Sequence, residues 1–284
     1  MQGELLYRKI IIYIMLAFAL SLPISMAAAG ASTVTMIEPY NYTISNGAAV
    51  HLGKDGPGQT FFVTISAATT NATGAQLNLG WNKLVVSGLP QGWIAQNSSL
   101  YTSELSVKIT PAADASNGTY KFNITAINVG NYSKIGAVEF TAYINVTPNV
   151  FKLYVNPTTV YESTGTPVDI YVSINNTGVS DTPFLVNITG IPAFNQTTEV
   201  IALHHTTQEF TYPISAYQPG VYHVKLSVQS IFSPLVYKQS NITMVSKATV
   251  LNDYGAIGSG VVAFPIIYEP VYAVMYLISR LFNG

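Results

Sequence analysis

The chain has 284 residues, of which 49% are hydrophobic and only 9% charged, with a net charge of −1 and no cysteine. A typical soluble domain carries about 25% charged residues, so this surface is polar without being ionic. The balance excludes a basic face for nucleic acid or anionic lipid, and the missing cysteines exclude a disulfide-stapled scaffold.

Taken in chain order, Arg8-Lys9 precede an apolar run from Ile10 to Ile24, and Met26-Ala27-Ala28-Ala29-Gly30-Ala31 follows. Positive, apolar and small-residue segments in that order read as a secretory signal peptide over 1–31, with cleavage after Ala29 or Ala31. The alternative is a retained N-terminal anchor helix, against which Pro23 and the short apolar core argue.

Beyond residue 32 the apolar period is two, which is the period of a strand and not of a helix. Tyr120, Phe122, Ile124 and Ala126 alternate with Lys121, Asn123 and Thr125; Val168, Ile170, Val172 and Ile174 form a second such set. Short strands broken by Gly, Pro and Asn turns predict an all-β chain of two tandem Ig-like antiparallel sandwiches. The first sandwich spans 32–148, with strands expected at Thr33–Ile37, Thr60–Ala67, Gln76–Ser87, Leu105–Thr110, Thr119–Asn128 and Ala137–Val146. The second spans 149–248, with strands at Phe151–Asn156, Val168–Asn175, Phe184–Thr189, Glu209–Ile214, Val221–Gln229 and Lys238–Val245. Thr147-Pro148-Asn149 marks the boundary as a short, proline-stiffened hinge. The halves echo each other: Gly118-Thr119-Tyr120 and Gly220-Val221-Tyr222 each lead from a turn into an alternating strand. Each Tyr stands where a tyrosine corner, or else an ordinary core Tyr, is expected in an Ig-like sandwich.

Residues 249–284 read as a linker and a C-terminal apolar helix. From Ala256 to Ser279 only Glu269 is charged, and Arg280 follows. About 20 apolar residues suffice to cross a bilayer, and Arg280 fits the positive-inside tendency. Pro265, Glu269 and Pro270 oppose a simple span, so the alternative is a helix that docks on a partner through Tyr268, Glu269, Tyr272 and Tyr276, three of which share one helical face.

Eleven N-x-S/T tripeptides begin at Asn41, Asn71, Asn97, Asn117, Asn123, Asn131, Asn145, Asn175, Asn187, Asn195 and Asn241. Chance gives roughly three or four in such a composition. The excess predicts a glycosylated, extracellular middle. Asn123, Asn175, Asn187 and Asn241 all fall on the polar side of their expected strands, where a glycan leaves the core undisturbed.

Leu89-Pro90-Gln91-Gly92-Trp93, then Val107-Lys108-Ile109-Thr110-Pro111, then Asn117-Gly118-Thr119-Tyr120 resembles the Ig-like module found beside some α-galactosidases and in archaeal S-layer-related proteins, over about Gly58 to Ala126. Ile174-Asn175-Asn176-Thr177-Gly178 with Pro219-Gly220-Val221-Tyr222 resembles the cell-adhesion-related Ig-like domain of bacterial and archaeal surface proteins. The resemblance implies spacer or adhesion units at an archaeal cell envelope, and it brings no catalytic residue with it. A chain poor in ionisable groups also suits an acidic habitat.

Chemistry is sparse. His204-His205 and His223, with Glu209, are the only candidate ligand set, and no metal-site spacing supports it. His51, beside Lys54-Asp55-Gly56-Pro57-Gly58, reads as part of a turn. Trp81 and Trp93 are candidates for a sugar-stacking platform or for the core. No nucleophile elbow, phosphate loop or cofactor motif is present. The expectation is therefore a non-enzymatic, cofactor-free surface glycoprotein on the extracellular face of the membrane, held by its tail and meeting other envelope proteins. The alternatives are an accessory subunit of a membrane complex and a carbohydrate-binding module.

Overall fold

A computed structural model describes residues 33–69, 80–130 and 136–248. The expected signal peptide, the C-terminal helix with Tyr268, Glu269, Tyr272 and Tyr276, and the sequons Asn71 and Asn131 lie outside the described residues. Within them the chain is all-β. In chain order the strands are β1 (Thr33–Glu38), β2 (Tyr42–Ser45), β3 (Ala49–Asp55), β4 (Phe61–Ser66), β5 (Lys83–Ser87), β6 (Ile94–Gln96), β7 (Glu104–Thr110), β8 (Gly118–Ile127) and β9 (Ala137–Val146). They continue as β10 (Phe151–Asn156), β11 (Thr159–Ser163), β12 (Val168–Asn176), β13 (Thr182–Ile191), β14 (Phe194–Ala202), β15 (Thr207–Ile214), β16 (Gly220–Ser230) and β17 (Tyr237–Lys247).

Alternation drives the layering. In β8, Phe122, Ile124 and Ala126 are buried while Lys121 is exposed. In β13, Phe184, Val186 and Ile188 are buried while Leu185 points to solvent. One face of each sheet is thus apolar and must pack against another. Two sheets, ordered β2-β1-β4-β7-β6 and β3-β9-β8-β5, enclose one core. Two more, ordered β10-β12-β15 and β11-β17-β16-β13-β14, enclose the other. Val146 belongs to the first core and Val150 to the second, so the change of core falls within four residues of chain. Phe61 and Phe122 meet in the first core, with centroids 6.3 Å apart, and Phe151 and Phe184 in the second, at 4.6 Å. Each such fully buried side chain contributes about 1.5–3 kcal/mol.

The two halves share their wiring. β8–β9 and β16–β17 are antiparallel pairs. In each half the last strand also pairs in parallel with an early one, β9 with β3 and β17 with β11. The echo extends to single atoms. Tyr120 Oη donates to Ser116 O at 2.9 Å, and Tyr222 Oη donates to Gln218 O at 2.8 Å. Both hydroxyls reach four residues back to hold the turn that precedes their strand, which is the tyrosine-corner arrangement.

Five strands escaped the period-two reading. β2 and β6 are only four and three residues long. β14 is an edge strand whose sequence FNQTTEVIA is polar on both faces over its first half, so alternation is blurred. β3 and β11 are short strands whose parallel pairing needs no adjacent hairpin. His51 is consequently not in a turn: it stands opposite Tyr143 in the β3–β9 ladder, with the rings stacked at 5.2 Å. The strand expected over Gln76–Ser87 is described only as β5, from Lys83.

Candidate functional site

Seven sequon asparagines, Asn41, Asn97, Asn117, Asn145, Asn175, Asn195 and Asn241, are exposed. Asn123 and Asn187 lie mid-strand and are half-buried. Asn123 is also engaged at both ends of its amide: Nδ2 donates to Glu139 Oε1 at 2.9 Å, and Oδ1 accepts from Thr141 Oγ1 at 3.2 Å. Asn41, Asn97 and Asn117 lie in connections between strands. The sequons on strands face outward because the same alternation that buries Phe122, Val186 and Ile242 turns Asn123, Asn187 and Asn241 away from the core.

The tryptophans take the opposite side. Trp81 and Trp93 are 2% and 8% exposed, and Trp93 packs on Tyr120 and Phe122. Neither offers a face to a sugar, so both are core residues.

The two β units meet through an interlocked joint. Its first side is the turn after β3, where Asp55, Gly56 and Gln59 are buried. Gly56 N donates to Gln59 Oε1 at 3.0 Å, closing the turn. Asp55 O accepts from Thr147 N at 2.9 Å, and Lys54 O accepts from Val179 N at 3.0 Å, tying this turn to the linker and to the second unit. Ser233 Oγ donates to Ala113 O at 2.8 Å. Gly58 is required at its position: its φ is +72°, and a Cβ there would stand 2.6 Å from Phe232 O.

At the centre of the joint lies Asp55, with no exposed surface. Neither of its carboxyl oxygens has a partner of hydrogen-bonding geometry, and neither does Ser180 Oγ nor Gln59 Nε2. Burial pushes the Asp55 carboxyl up to about 7, against the smaller opposing pull of the Ser180 hydroxyl and the Gly56 amide nearby. Ser180 is thus close enough to favour the charged form but not aligned to bond it.

Beside the joint opens a cleft of about 580 Å³, with Glu38, Phe62 and Lys108 on one wall and Asp181, His204 and Phe232 on the other. Asp181 Oδ1 accepts from His204 N at 2.8 Å and lies 2.7 Å from His204 Nδ1. Both side chains are about half exposed, so the pair is solvent-screened. Glu38 Oε2 accepts from Thr64 Oγ1 at 2.8 Å. His205 occupies the left-handed region at φ 54° and faces Tyr40, with ring centroids 5.9 Å apart. Burial, then His204 and Lys54, lower its pKa. His223 stands on β16 opposite Thr243, and Glu209 on β15 opposite Ser173, so the structure does not gather the histidines with Glu209. Among the described residues no three His, Asp or Glu side chains converge as metal ligands, and no helix is long and apolar enough to cross a membrane. Sequence reasoning missed the joint altogether. Its only signal was the Asp-Gly-Pro-Gly run, which announces a turn but not what packs on it.

No protein-family model and no curated protein matches the chain. Among solved structures, the chain is similar to a chimeric titin Z1Z2 carrying a peptide from decorin, at 13% identity and a TM-score of 0.34, covering 78% of this chain and 100% of that one. It is similar to the dimeric latent PorU from Porphyromonas gingivalis at 13% identity and a TM-score of 0.25, covering 80% of this chain and 21% of that one. A β-glucosidase from Listeria innocua in complex with glucose matches at 13% identity and a TM-score of 0.25, over 35% of this chain and 16% of the enzyme. Overlaps this slight say nothing of activity.

Proposed function

We propose that this is a non-enzymatic glycoprotein of the cell surface: two Ig-like sandwiches, joined stiffly, that act as a structural or adhesive element on the outer face of an archaeal envelope. The observation that carries the reading is the placement of the sequons. In both β units the sequon asparagines on strands turn away from the core and those in the connecting loops are exposed, at a density well above chance, while the cores beneath are complete. The hydrogen bonds across the joint support a spacer role, because they restrain the motion that two linked units otherwise have. The C-terminal apolar segment supplies the attachment in this reading, and neighbouring envelope proteins are the expected partners.

Glycopeptide mapping of the protein from its own cells, combined with membrane fractionation, tests it. Sugars at the exposed asparagines and retention in the membrane until detergent is added are expected. Recovery of an unmodified protein in a salt wash overturns the reading.

A further inference from the structure

The outer face of the β3-β9-β8-β5 sheet carries an aromatic pair with a sequon beside it. His51 on β3 and Tyr143 on β9 are register partners, with rings 5.2 Å apart and planes inclined by 28°. His51 is exposed and Tyr143 half-exposed. Two residues further along β9, on the same face, stands Asn145, which is exposed and begins Asn145-Val146-Thr147. Alternate residues of a strand lie about 6.8 Å apart on one face, so a sugar ring linked to Asn145 Nδ2 falls naturally over Tyr143. His51 also borders a hollow of about 310 Å³ that Tyr40, Asn41 and Tyr42 line.

We propose that the His51–Tyr143 pair is a bed for the N-linked sugar of Asn145, pinning the first sugar ring against the sheet. The inference rests on the glycoprotein reading above and adds to it a defined contact. The chemistry is that of a saturated ring with axial C–H bonds against aromatic rings: the C–H groups are weakly positive and the ring faces negative, and both surfaces leave water on contact. Asn123 lies diagonally across from Tyr143, its partner being Thr141 in the same ladder. It is a poor carrier by comparison, because it is half-buried and its amide is already held by Glu139 and Thr141. Asn145 has no such engagement; its register partners are Lys54 and Thr119, and Lys54 Nζ is drawn to Asn149 O at 3.4 Å.

The test is a double-mutant cycle on the full glycosylated chain: Asn145→Gln, Tyr143→Ala and the two together, with glycopeptide mapping of each and thermal unfolding as the readout. Loss of the sugar lowers the unfolding midpoint by about 2 °C when Tyr143 is present and leaves it unchanged in the Tyr143→Ala background. A second readout is independent of stability. Ring-current upfield shifts of the first sugar's ring protons are present in the native chain and in Tyr143→Phe, fall in Tyr143→Ala, and vanish when His51→Ala is added. A sugar at Asn145 with additive variants and unshifted protons overturns the bed while leaving the glycoprotein reading standing. An unmodified Asn145 in a chain whose other exposed asparagines carry sugar overturns the bed alone. A chain with no sugar anywhere overturns both.

Discussion

Replacing Asp55 by Asn should leave stability nearly unchanged in acid and raise it in mildly alkaline solution. The carboxyl has no exposed surface, and burial raises its pKa from 3.8 to about 7. In the unfolded chain it ionises near pH 4; in the folded joint it keeps its proton until near pH 7. Between those limits the folded state binds the extra proton, so stability falls as pH rises. About three pH units at about 1.4 kcal/mol each give on the order of 4 kcal/mol, fully present below pH 4 and lost by pH 7 to 8. Asn fills the same space and cannot ionise. At pH 4 the variant should match the native chain to within about 1 kcal/mol, the worth of one altered hydrogen bond. At pH 8 it should be the more stable by roughly 3 kcal/mol, since no charge is then buried in the joint. Guanidinium unfolding at half-unit steps from pH 4 to 8, followed by fluorescence of Trp81 and Trp93 in the first unit, measures the difference. A native chain whose stability is flat or rising over this range, or a variant that keeps the native slope, refutes the reasoning.

Other expectations are simpler. Tyr120→Phe and Tyr222→Phe each remove one hydroxyl bond to a backbone carbonyl and should each cost about 1 kcal/mol, additively, since the two corners sit in separate cores; unequal or strongly coupled losses in urea titrations count against the shared architecture. Gly190→Ala drives a Cβ into the His223 carbonyl oxygen at a φ of +103°, inside the β13 irregularity; a loss of about 3 kcal/mol or more is expected in the same assay. Phe184→Ala, in the second core, should cost about 3–5 kcal/mol and leave first-unit amide exchange protected up to the joint. Ser233→Ala removes the bond to Ala113 O and should raise exchange rates around Gly58 while sparing the sheets.

How legible this was in the sequence depends on what each feature needs. Strands such as β8 and β12 announced themselves because one face is buried and the other wet, so period two survives in the residue types. The tyrosine corners were legible too, since a Gly turn, a Tyr and an alternating strand are contiguous. β14 was not, because an edge strand can be polar on both faces without loss. β3 hid for another reason: its partner lies about ninety residues away, and Gly53, Lys54 and Asp55 look like a loop until β9 is laid beside them. The sequons' outward placement followed from alternation alone. The joint did not, because Asp55 meets Ser180, and Ser233 meets Ala113, only when two finished units pack. His51 shows the cost of local reading, as its stacking on Tyr143 depends wholly on the parallel register.

The parallel pairing of β3 with β9 and of β11 with β17 has a mechanical consequence. In each unit an early strand and the last strand run side by side in the same direction, over five register pairs. A pull applied to the start of one of these strands and the end of its partner slides them along each other, and the bonds between them bear load together. Strands peeled like a zipper would instead break one bond at a time. A β unit wired in this way resists such sliding more strongly than a zipper-like pairing of the same length.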